Sequence, residues 1–314
     1  MPRQASVVVA LLASLAATAS AGRKPPPVPV QITSSSGDSF VERMGPSGVA
    51  AAVIRSNGDL APGAPGNVDG SHELYEVSFA DDSLEQVTAS ASDSSSPRIS
   101  RDGLVVVSSD GDLASENPDN ADGSYEVWFW TPPSVVTPTA GSLEQITATP
   151  RDSFFQTFWD GGRKAFFASK GDLTPGLPGN ADGSNEVFSY DMTAKTFAQL
   201  TDSPRDSLVR AVCPTEACAV IESTGDLAPG APGNADGSFE VFLLALDTHV
   251  VTQITDSSAD ARRRGQDATA RYLAVESRGD LVPGAPGNAD GSQEVFVYDR
   301  AKKTLTQITD SALD

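Results

Sequence analysis

The chain has 314 residues, of which 39% are hydrophobic and 7% aromatic, so it can bury a core rather than stay disordered. Its 42 acidic residues outnumber its 22 lysines and arginines, which gives a formal net charge of −20. This charge excludes DNA, RNA and anionic membrane surfaces as ligands and leaves cations, basic proteins and neutral glycans.

The first residues have the pattern of an export signal. Arg3 supplies a positive start, residues 5–19 are mostly apolar, and Ala19-Ser20-Ala21 matches the small-x-small cleavage pattern. A transmembrane anchor is the alternative, but Ser and Thr dilute the run, which is shorter than the ~20 apolar residues that a span needs. We therefore expect residues 1–21 to be a signal peptide cleaved near Ala21. The mature chain, with no membrane span, would be exported to the periplasm, the cell surface or the extracellular space.

Two short segments follow the signal. Residues 22–29 form a Pro-rich linker, in which Lys24-Pro25-Pro26-Pro27-Val28-Pro29 is typical of an extended polyproline spacer. Val30-Gln31-Ile32-Thr33 then matches a strand that recurs later in the chain, and predicts an extra N-terminal strand.

The rest of the chain, residues 30–314, is an internal repeat. The Asp of Gly-Asp-Leu and the Asp of Asp-Gly-Ser both recur with steps of 53, 60, 54 and 54 residues. The longer step comes from an insertion, Thr131 to Ser142, in the second copy. The five copies span about 34–88, 89–147, 148–201, 202–255 and 256–309.

Each copy shows four short strands separated by turn signals. The third strand begins with Glu and an apolar pair, as in Glu294-Val295-Phe296, and the fourth reads Gln-(Val/Ile/Leu)-Thr, as in Gln307-Ile308-Thr309. Four antiparallel strands repeated at about fifty residues are typical of a β-propeller. The sequence therefore predicts an all-β propeller of five four-stranded blades with the extra N-terminal strand. A six-bladed or an incomplete ring is the alternative.

The second copy carries the clearest family pattern. Pro97-x-x-Ser100-x-Asp102-Gly103 leads into Leu104-Val105-Val106-Val107, which resembles the TolB-type propeller repeat, a relative of WD-type blades. The resemblance covers residues 30–314, although the other copies lack the full turn and no Gly-His pair occurs. It implies a fold and says little about function.

An acidic, glycine-rich loop joins the second and third strands of every copy. Four positions recur in it: the Asp of Gly-Asp-Leu, an Asn, the Asp of Asp-Gly-Ser, and the Glu that opens the third strand. In chain order they are Asp59, Asn67, Asp69 and Glu73; Asp112, Asn120, Asp122 and Glu126; Asp172, Asn180, Asp182 and Glu186; Asp226, Asn234, Asp236 and Glu240; and Asp280, Asn288, Asp290 and Glu294. The second loop adds Asp119.

These oxygen-bearing side chains are candidate calcium ligands, because calcium takes six to eight oxygens in flexible loops. Asn-x-Asp-Gly-Ser-x-Glu partly resembles an EF-hand loop but lacks its full spacing. The alternative is that Asn and Asp cap turns through their own side chains. Arginines in the links between copies, Arg98, Arg151, Arg205 and Arg262, are further candidates to neutralise the loops.

Cys213 and Cys218 are the only cysteines and flank a hairpin turn, Pro214-Thr215-Glu216-Ala217. Residues that face each other across a short hairpin can meet disulfide geometry, and an exported protein meets an oxidising compartment. We expect a disulfide with a small effect on stability, because it closes a short loop.

Catalysis is not favoured by the available side chains. His72 and His249 are the only histidines, and neither is placed for a Ser-His-Asp arrangement. Paired carboxylates in the axial funnel would support glycoside hydrolysis, but Glu42 is the only acid on the innermost strands. We therefore predict a non-catalytic exported binding or scaffold module for an unknown protein or glycan, with calcium as the candidate cofactor. A hydrolase or lyase that uses the axial funnel is the alternative.

Overall fold

The computed structural model describes residues 31–61, 66–113, 120–133, 141–176, 179–214, 216–230, 232–284 and 287–312. The predicted signal peptide, the Pro-rich linker, Val30 and the candidate ligand Asp119 lie outside the described residues. Within them, no helix is long and apolar enough to cross a membrane.

The described residues form twenty strands arranged in five four-stranded sheets. The first sheet contains β1 (Ser39–Met44), β2 (Ala51–Ser56), β3 (Glu73–Ser78) and β4 (Leu84–Gln86). The second contains β5 (Ser94–Ile99), β6 (Val105–Ser109), β7 (Glu126–Thr131) and β8 (Ser142–Gln145). The third contains β9 (Ser153–Trp159), β10 (Lys164–Ser169), β11 (Glu186–Asp191) and β12 (Thr196–Gln199), with a 3-10 turn at Asp160–Gly162.

The fourth sheet contains β13 (Ser207–Val212), β14 (Cys218–Ser223), β15 (Glu240–Ala245) and β16 (Val251–Gln253). The fifth contains β17 (Ala261–Gln266), β18 (Tyr272–Ser277), β19 (Glu294–Asp299) and β20 (Thr304–Gln307). In every sheet the strands follow one another in chain order and run antiparallel. One sheet per repeat matches a five-bladed β-propeller, so the predicted fold class is confirmed.

The described residues group into two compact units. The first comprises those up to Ala121 together with Phe129–Glu144, and the second comprises Asp122–Trp128 together with those from Gln145 onward. The first sheet belongs to the first unit, and the third, fourth and fifth sheets belong to the second.

The core of the second unit lies between successive sheets. Ala219 and Ile221 of β14 pack with Phe166 of the third sheet, whereas Val220 packs with Leu273 of the fifth. Successive side chains of a strand point to opposite faces, so β14 contributes to both interfaces. All six residues of β14 are buried, which explains why the second strand reads as an apolar run rather than an alternating pattern.

The extra N-terminal strand is a correction to the sequence prediction. Gln31, Ile32 and Thr33 have no strand conformation, and the Gln31 side chain donates instead to the Thr33 carbonyl at 2.7 Å. Each third strand in the described residues already has its own fourth strand beside it, as β19 has β20. The Gln-Ile-Thr pattern by itself therefore does not specify a strand at residues 31–33.

The predicted disulfide is present. Cys213 and Cys218 are bonded, with their Cα atoms 5.2 Å apart, and the Cys213 amide donates to the Cys218 carbonyl at 2.8 Å. Both cysteines are buried against Ala270 and Leu243. The disulfide closes the β13–β14 hairpin and indicates an oxidising compartment.

Candidate functional site

The acidic loop is anchored where the second strand ends. In the fourth sheet the Ser223 hydroxyl accepts a hydrogen bond from the Gly225 amide at 2.9 Å. A side chain at Gly225 would overlap the Ser203 hydroxyl, which lies in the link from the preceding blade. The Gly of Gly-Asp-Leu is therefore required by close contact with this link.

The Asp of Asp-Gly-Ser caps its own turn. Asp236 Oδ1 accepts from the Ser238 amide at 2.9 Å and from the Ser238 hydroxyl at 2.8 Å. These hydrogen bonds lower the pKa of Asp236, and this side chain is exposed. The four equivalent aspartates accept the same two bonds: Asp69, Asp122, Asp182 and Asp290.

The Glu that opens the third strand is buried within hydrogen-bond distance of three donors. Glu240 Oε2 accepts from the Thr255 hydroxyl, and Oε1 accepts from the Ser257 amide at 2.8 Å. Oε1 also lies 3.1 Å from the Ser238 hydroxyl, whose single proton is shared with Asp236 Oδ1. Thr255 and Ser257 lie in the link to the next blade, so the bonds fasten that link to the loop. We call this arrangement the glutamate clamp.

The clamp recurs in all five copies, with the same three kinds of donor. Its glutamates are Glu73, Glu126, Glu186, Glu240 and Glu294, each 1% exposed. Burial raises the pKa of Glu73, and raises the pKa of Glu126, Glu186 and Glu240 to about 7. In Glu294 the hydrogen bonds from Thr309, Ser292 and Ser311 outweigh desolvation and lower the pKa.

The Asn of the loop is buried and donates to the backbone. Asn234 Nδ2 donates to the Ser238 carbonyl at 2.8 Å, and Asn67 Nδ2 donates to the Ser71 carbonyl at the same distance. The equivalent bond joins Asn180 to Ser184 and Asn288 to Ser292, each at 2.9 Å. Asn120 Nδ2 lies 3.4 Å from the Gly111 carbonyl.

The Asp of Gly-Asp-Leu differs from blade to blade. Asp172 Oδ1 accepts from the Thr174 amide at 3.0 Å. Asp59, Asp226 and Asp280, by contrast, each have a buried Oδ1 with no hydrogen-bond donor in the described residues, whereas Asp112 is exposed. Of the predicted ligands, Asp59, Asp226 and Asp280 at this position therefore retain a buried oxygen that the described residues do not use, and so do the loop asparagines Asn67 and Asn234.

Sequence reasoning missed two contributors to the loop and one buried acid outside it. Gln253 of the fourth strand donates to the Gly233 carbonyl of the loop at 3.4 Å, and Thr255 donates to the clamp. In the sequence, Gln-x-Thr marked only a strand. Gln86 repeats this contact in the first sheet, where its Nε2 donates to the Gly66 carbonyl at 3.2 Å and its Oε1 also accepts from the Gly66 amide at 3.0 Å.

The third missed residue is Glu222 in β14. Its side chain is 3% exposed and accepts from Arg210 Nε at 2.8 Å, Arg262 Nη1 at 3.3 Å and the Arg263 amide at 2.7 Å. Basic residues of β13 and β17 thus converge on one buried carboxylate. The sequence signal was an acid inside an otherwise apolar strand.

The link arginines neutralise the loops only in part. Arg205 Nη1 donates to the Thr224 carbonyl at 3.2 Å, and Arg151 Nη1 lies 3.4 Å from the Lys170 carbonyl. Each contributes to the lowered pKa of its nearby loop aspartate, Asp236 or Asp182, but less than the serine hydrogen bonds do. No group of three or more His, Cys, Asp or Glu side chains that could hold a metal occurs in the described part of the chain.

Comparison with known proteins leaves the family open. No family model and no curated protein matches this chain. Similar solved structures include a TolB-type protein of Agrobacterium tumefaciens, at 16% identity and TM-score 0.47 over 88% of this chain and 82% of that chain. TolB from Acinetobacter baumannii has 14% identity and TM-score 0.42 over 77% of this chain, which spans half of that protein.

A third similar structure is the β-propeller domain of the Trilobed protease from Pyrococcus furiosus. It has 11% identity and TM-score 0.47 over 87% of this chain and 71% of that one. Oligogalacturonate lyases and puromycin hydrolases also resemble the chain, so these likenesses do not choose between binding and catalysis. The fold assignment rests on the five antiparallel sheets, which fit a five-bladed β-propeller.

Proposed function

We propose that this chain is an exported, non-catalytic binding module that recognises its partner through the acidic loops. The observation that carries this proposal is that the flanking loop residues are the same in every copy, whereas one side chain between them varies. The residue between Ser and Glu in Asp-Gly-Ser-x-Glu differs in every copy: His72, Tyr125, Asn185, Phe239 and Gln293.

The backbone at the variable position is held in the same way in four copies. The Phe239 amide donates to Asp260 Oδ1 at 2.9 Å, and its carbonyl accepts from the Ala261 amide at 2.6 Å. The same pair of bonds holds His72, Tyr125 and Asn185. All five variable side chains are at least partly exposed. A fixed backbone that presents different side chains is the arrangement by which repeat proteins build specific surfaces.

The partner's chemistry follows from the charge. The capping aspartates are exposed beside the variable residues, and their low pKa keeps them ionised at neutral pH. Phe239 already stacks under the Arg262 guanidinium, 3.2 Å from the ring centroid. A cationic protein surface, or a glycan that uses aromatic stacking and carboxylate acceptors, suits such loops.

Binding to defined probes tests this function. An oligolysine peptide, a neutral glycan array and an oligoglutamate control would be measured against the exported protein at two salt concentrations. We expect salt-dependent binding of the cationic peptide, and a several-fold loss when Asp236→Asn and Asp290→Asn are combined. Asparagine keeps the turn cap and removes the charge.

Asp191→Asn is the matched control. Asp191 caps the turn at the other end of β11 through the Thr193 and Ala194 amides, both at 2.9 Å. Its substitution should leave binding unchanged. Binding by the glycan array alone, reduced by Phe239→Ala, would identify a glycan partner. Equal binding of all probes, insensitive to the loop variants, would contradict the proposed function.

We also propose calcium as the cofactor of these loops. The supporting observation is the set of buried aspartate and asparagine oxygens that lack a donor in the described residues. A ligand that binds only the folded state stabilises it and so raises the melting temperature; the stabilisation is about 0.4–1.4 kcal/mol when the ligand is present at one to ten times its dissociation constant. The wild-type protein should therefore melt at a higher temperature in millimolar calcium than in chelator, and no difference would contradict calcium binding.

A further inference from the structure

The fourth loop contains a buried amide oxygen without a donor. Asn234 is 4% exposed, and its Nδ2 donates to the Ser238 carbonyl at 2.8 Å and lies 3.5 Å from the Ser223 and Gly225 carbonyls. A carbonyl accepts only from the NH₂ group, so these contacts fix the orientation of the amide. Asn234 Oδ1 is therefore the atom that remains buried without a donor.

Two more buried oxygens without a hydrogen-bond donor belong to side chains beside Gly233. Asp226 Oδ1 and Gln253 Oε1 are also buried and have no donor. A Cβ placed on Gly233 would lie 3.5 Å from Asp226 Oδ2, and Gln253 Nε2 lies 3.4 Å from the Gly233 carbonyl. Gln253 Nε2 also donates to the Thr255 carbonyl at 2.8 Å, which fixes its amide orientation as well. Asn234 follows Gly233 directly, so all three side chains adjoin one short segment.

Three buried acceptors without donors are costly, at about 1–3 kcal/mol each. A single water has two hydrogens to donate and cannot satisfy all three, whereas a hard cation binds several oxygens at once. Building on the proposed calcium binding by the loops, we propose that the ion in the fourth loop is held by Asp226, Asn234 and Gln253. Asp236 and Glu240 act as the turn cap and the clamp instead.

The other loops show how far this site repeats. In the first loop Asp59 Oδ1 and Asn67 Oδ1 are buried without a donor, and in the fifth Asp280 Oδ1 and Gln307 Oε1 are. In the third loop Asp172 Oδ1 accepts from the Thr174 amide, and Asn180 Oδ1 accepts from the Gly183 amide at 3.3 Å. The third loop has thus satisfied internally the two oxygens that the fourth loop leaves for an ion.

One carboxylate and two amides make a weak site, with a dissociation constant of about 10⁻⁴–10⁻³ M, as in extracellular calcium modules. Calorimetric titration of the full exported protein with calcium chloride, and with magnesium chloride for comparison, measures it. Asp226→Asn keeps the shape and removes the charge, and Gln253→Met keeps the length and removes the oxygen. Each should weaken calcium binding at this site about tenfold or remove one site from the stoichiometry.

Asp172→Asn in the third loop is the matched control and should leave the titration unchanged. Each variant's melting temperature in chelator reports whether it still folds as the wild type does. If the wild type binds calcium and Asp226→Asn and Gln253→Met bind it equally well, the ion lies elsewhere and this ligand assignment is overturned while calcium binding stands. If the wild type shows no calcium response, the acceptors hold water only, and both proposals about calcium fail.

Discussion

At the scale of single residues, the glutamate clamp explains why a Thr lies two residues after the Gln in every copy. Thr255 Oγ1 donates to Glu240 Oε2 and accepts from the Val241 amide at 2.8 Å, so one hydroxyl serves two buried groups. The same double role belongs to Thr88, Thr147, Thr201 and Thr309. A serine or threonine is the only side chain of this size that offers both functions.

Thr255→Val should destabilise the protein by about 1–3 kcal/mol. Valine has the same shape but leaves the Glu240 carboxyl and the Val241 amide without this partner. Chemical denaturation measures the free energy of unfolding. Thr255→Ser restores the hydroxyl and should recover most of the loss, and a valine variant as stable as the wild type would show that the clamp does not hold the link.

At the scale of elements, the central strands carry most of the packing. Ile221 of β14 is fully buried between the third and fourth sheets, whereas Leu305 of β20 is only partly buried. Ile221→Ala should therefore cost about 2–5 kcal/mol in the free energy of unfolding, by loss of burial and formation of a cavity. Leu305→Ala is the control from an outer strand and should cost less than half as much. Equal costs would mean that the outer strands are as important to the core as the central ones.

The β13–β14 hairpin gives a second prediction at this scale. The Cys213–Cys218 disulfide spans a sequence separation of 5, so its reduction should lower the free energy of unfolding by about 2 kcal/mol at most. Unfolding with and without reductant measures this. A Cys213→Ala/Cys218→Ala variant should not respond to reductant. A loss well above this limit would mean that the disulfide holds packing in the folded state as well as constraining the unfolded chain.

The elements were predictable because the repeat exposes them five times over. Strand order, the loops and the hairpin disulfide follow from turn residues and apolar runs that need no knowledge of packing. The different roles of the acidic residues inside the loop were not predictable from the sequence. Asp226 and Asp236 look equivalent in sequence, but only the conformation of the loop brings one to a serine cap and buries the other's Oδ1 without a donor. In the sequence Gln253 was recognisable only as a strand residue, because Gly233, which it contacts, lies twenty residues earlier in the chain.

At the scale of the whole molecule, folding shifts the pKa of two sets of carboxyl groups in opposite directions. Burial raises the pKa of Glu126, Glu186 and Glu240 from 4.5 to about 7. Between these two values the folded state keeps protons that the unfolded state has released, so stability falls as the pH rises through this range. The turn-capping aspartates have a pKa below their usual 3.8, and stability falls as they are protonated in acid. The net charge of −20 at neutral pH adds repulsion that mild acid relieves.

The melting temperature should therefore be highest at about pH 5 and fall on both sides. A melting series from pH 3 to pH 8, in chelator to exclude bound cations, measures this profile. Glu240→Gln removes one of the groups with a raised pKa and should make the decline between pH 5 and pH 8 shallower. Glu294→Gln is the matched control, because the pKa of Glu294 is lowered by its three hydrogen bonds and does not contribute to that decline. A wild-type melting temperature that rises steadily to pH 8 would mean that the clamp glutamates are ionised in the folded protein, held by the hydrogen bonds that their threonine and serine partners donate.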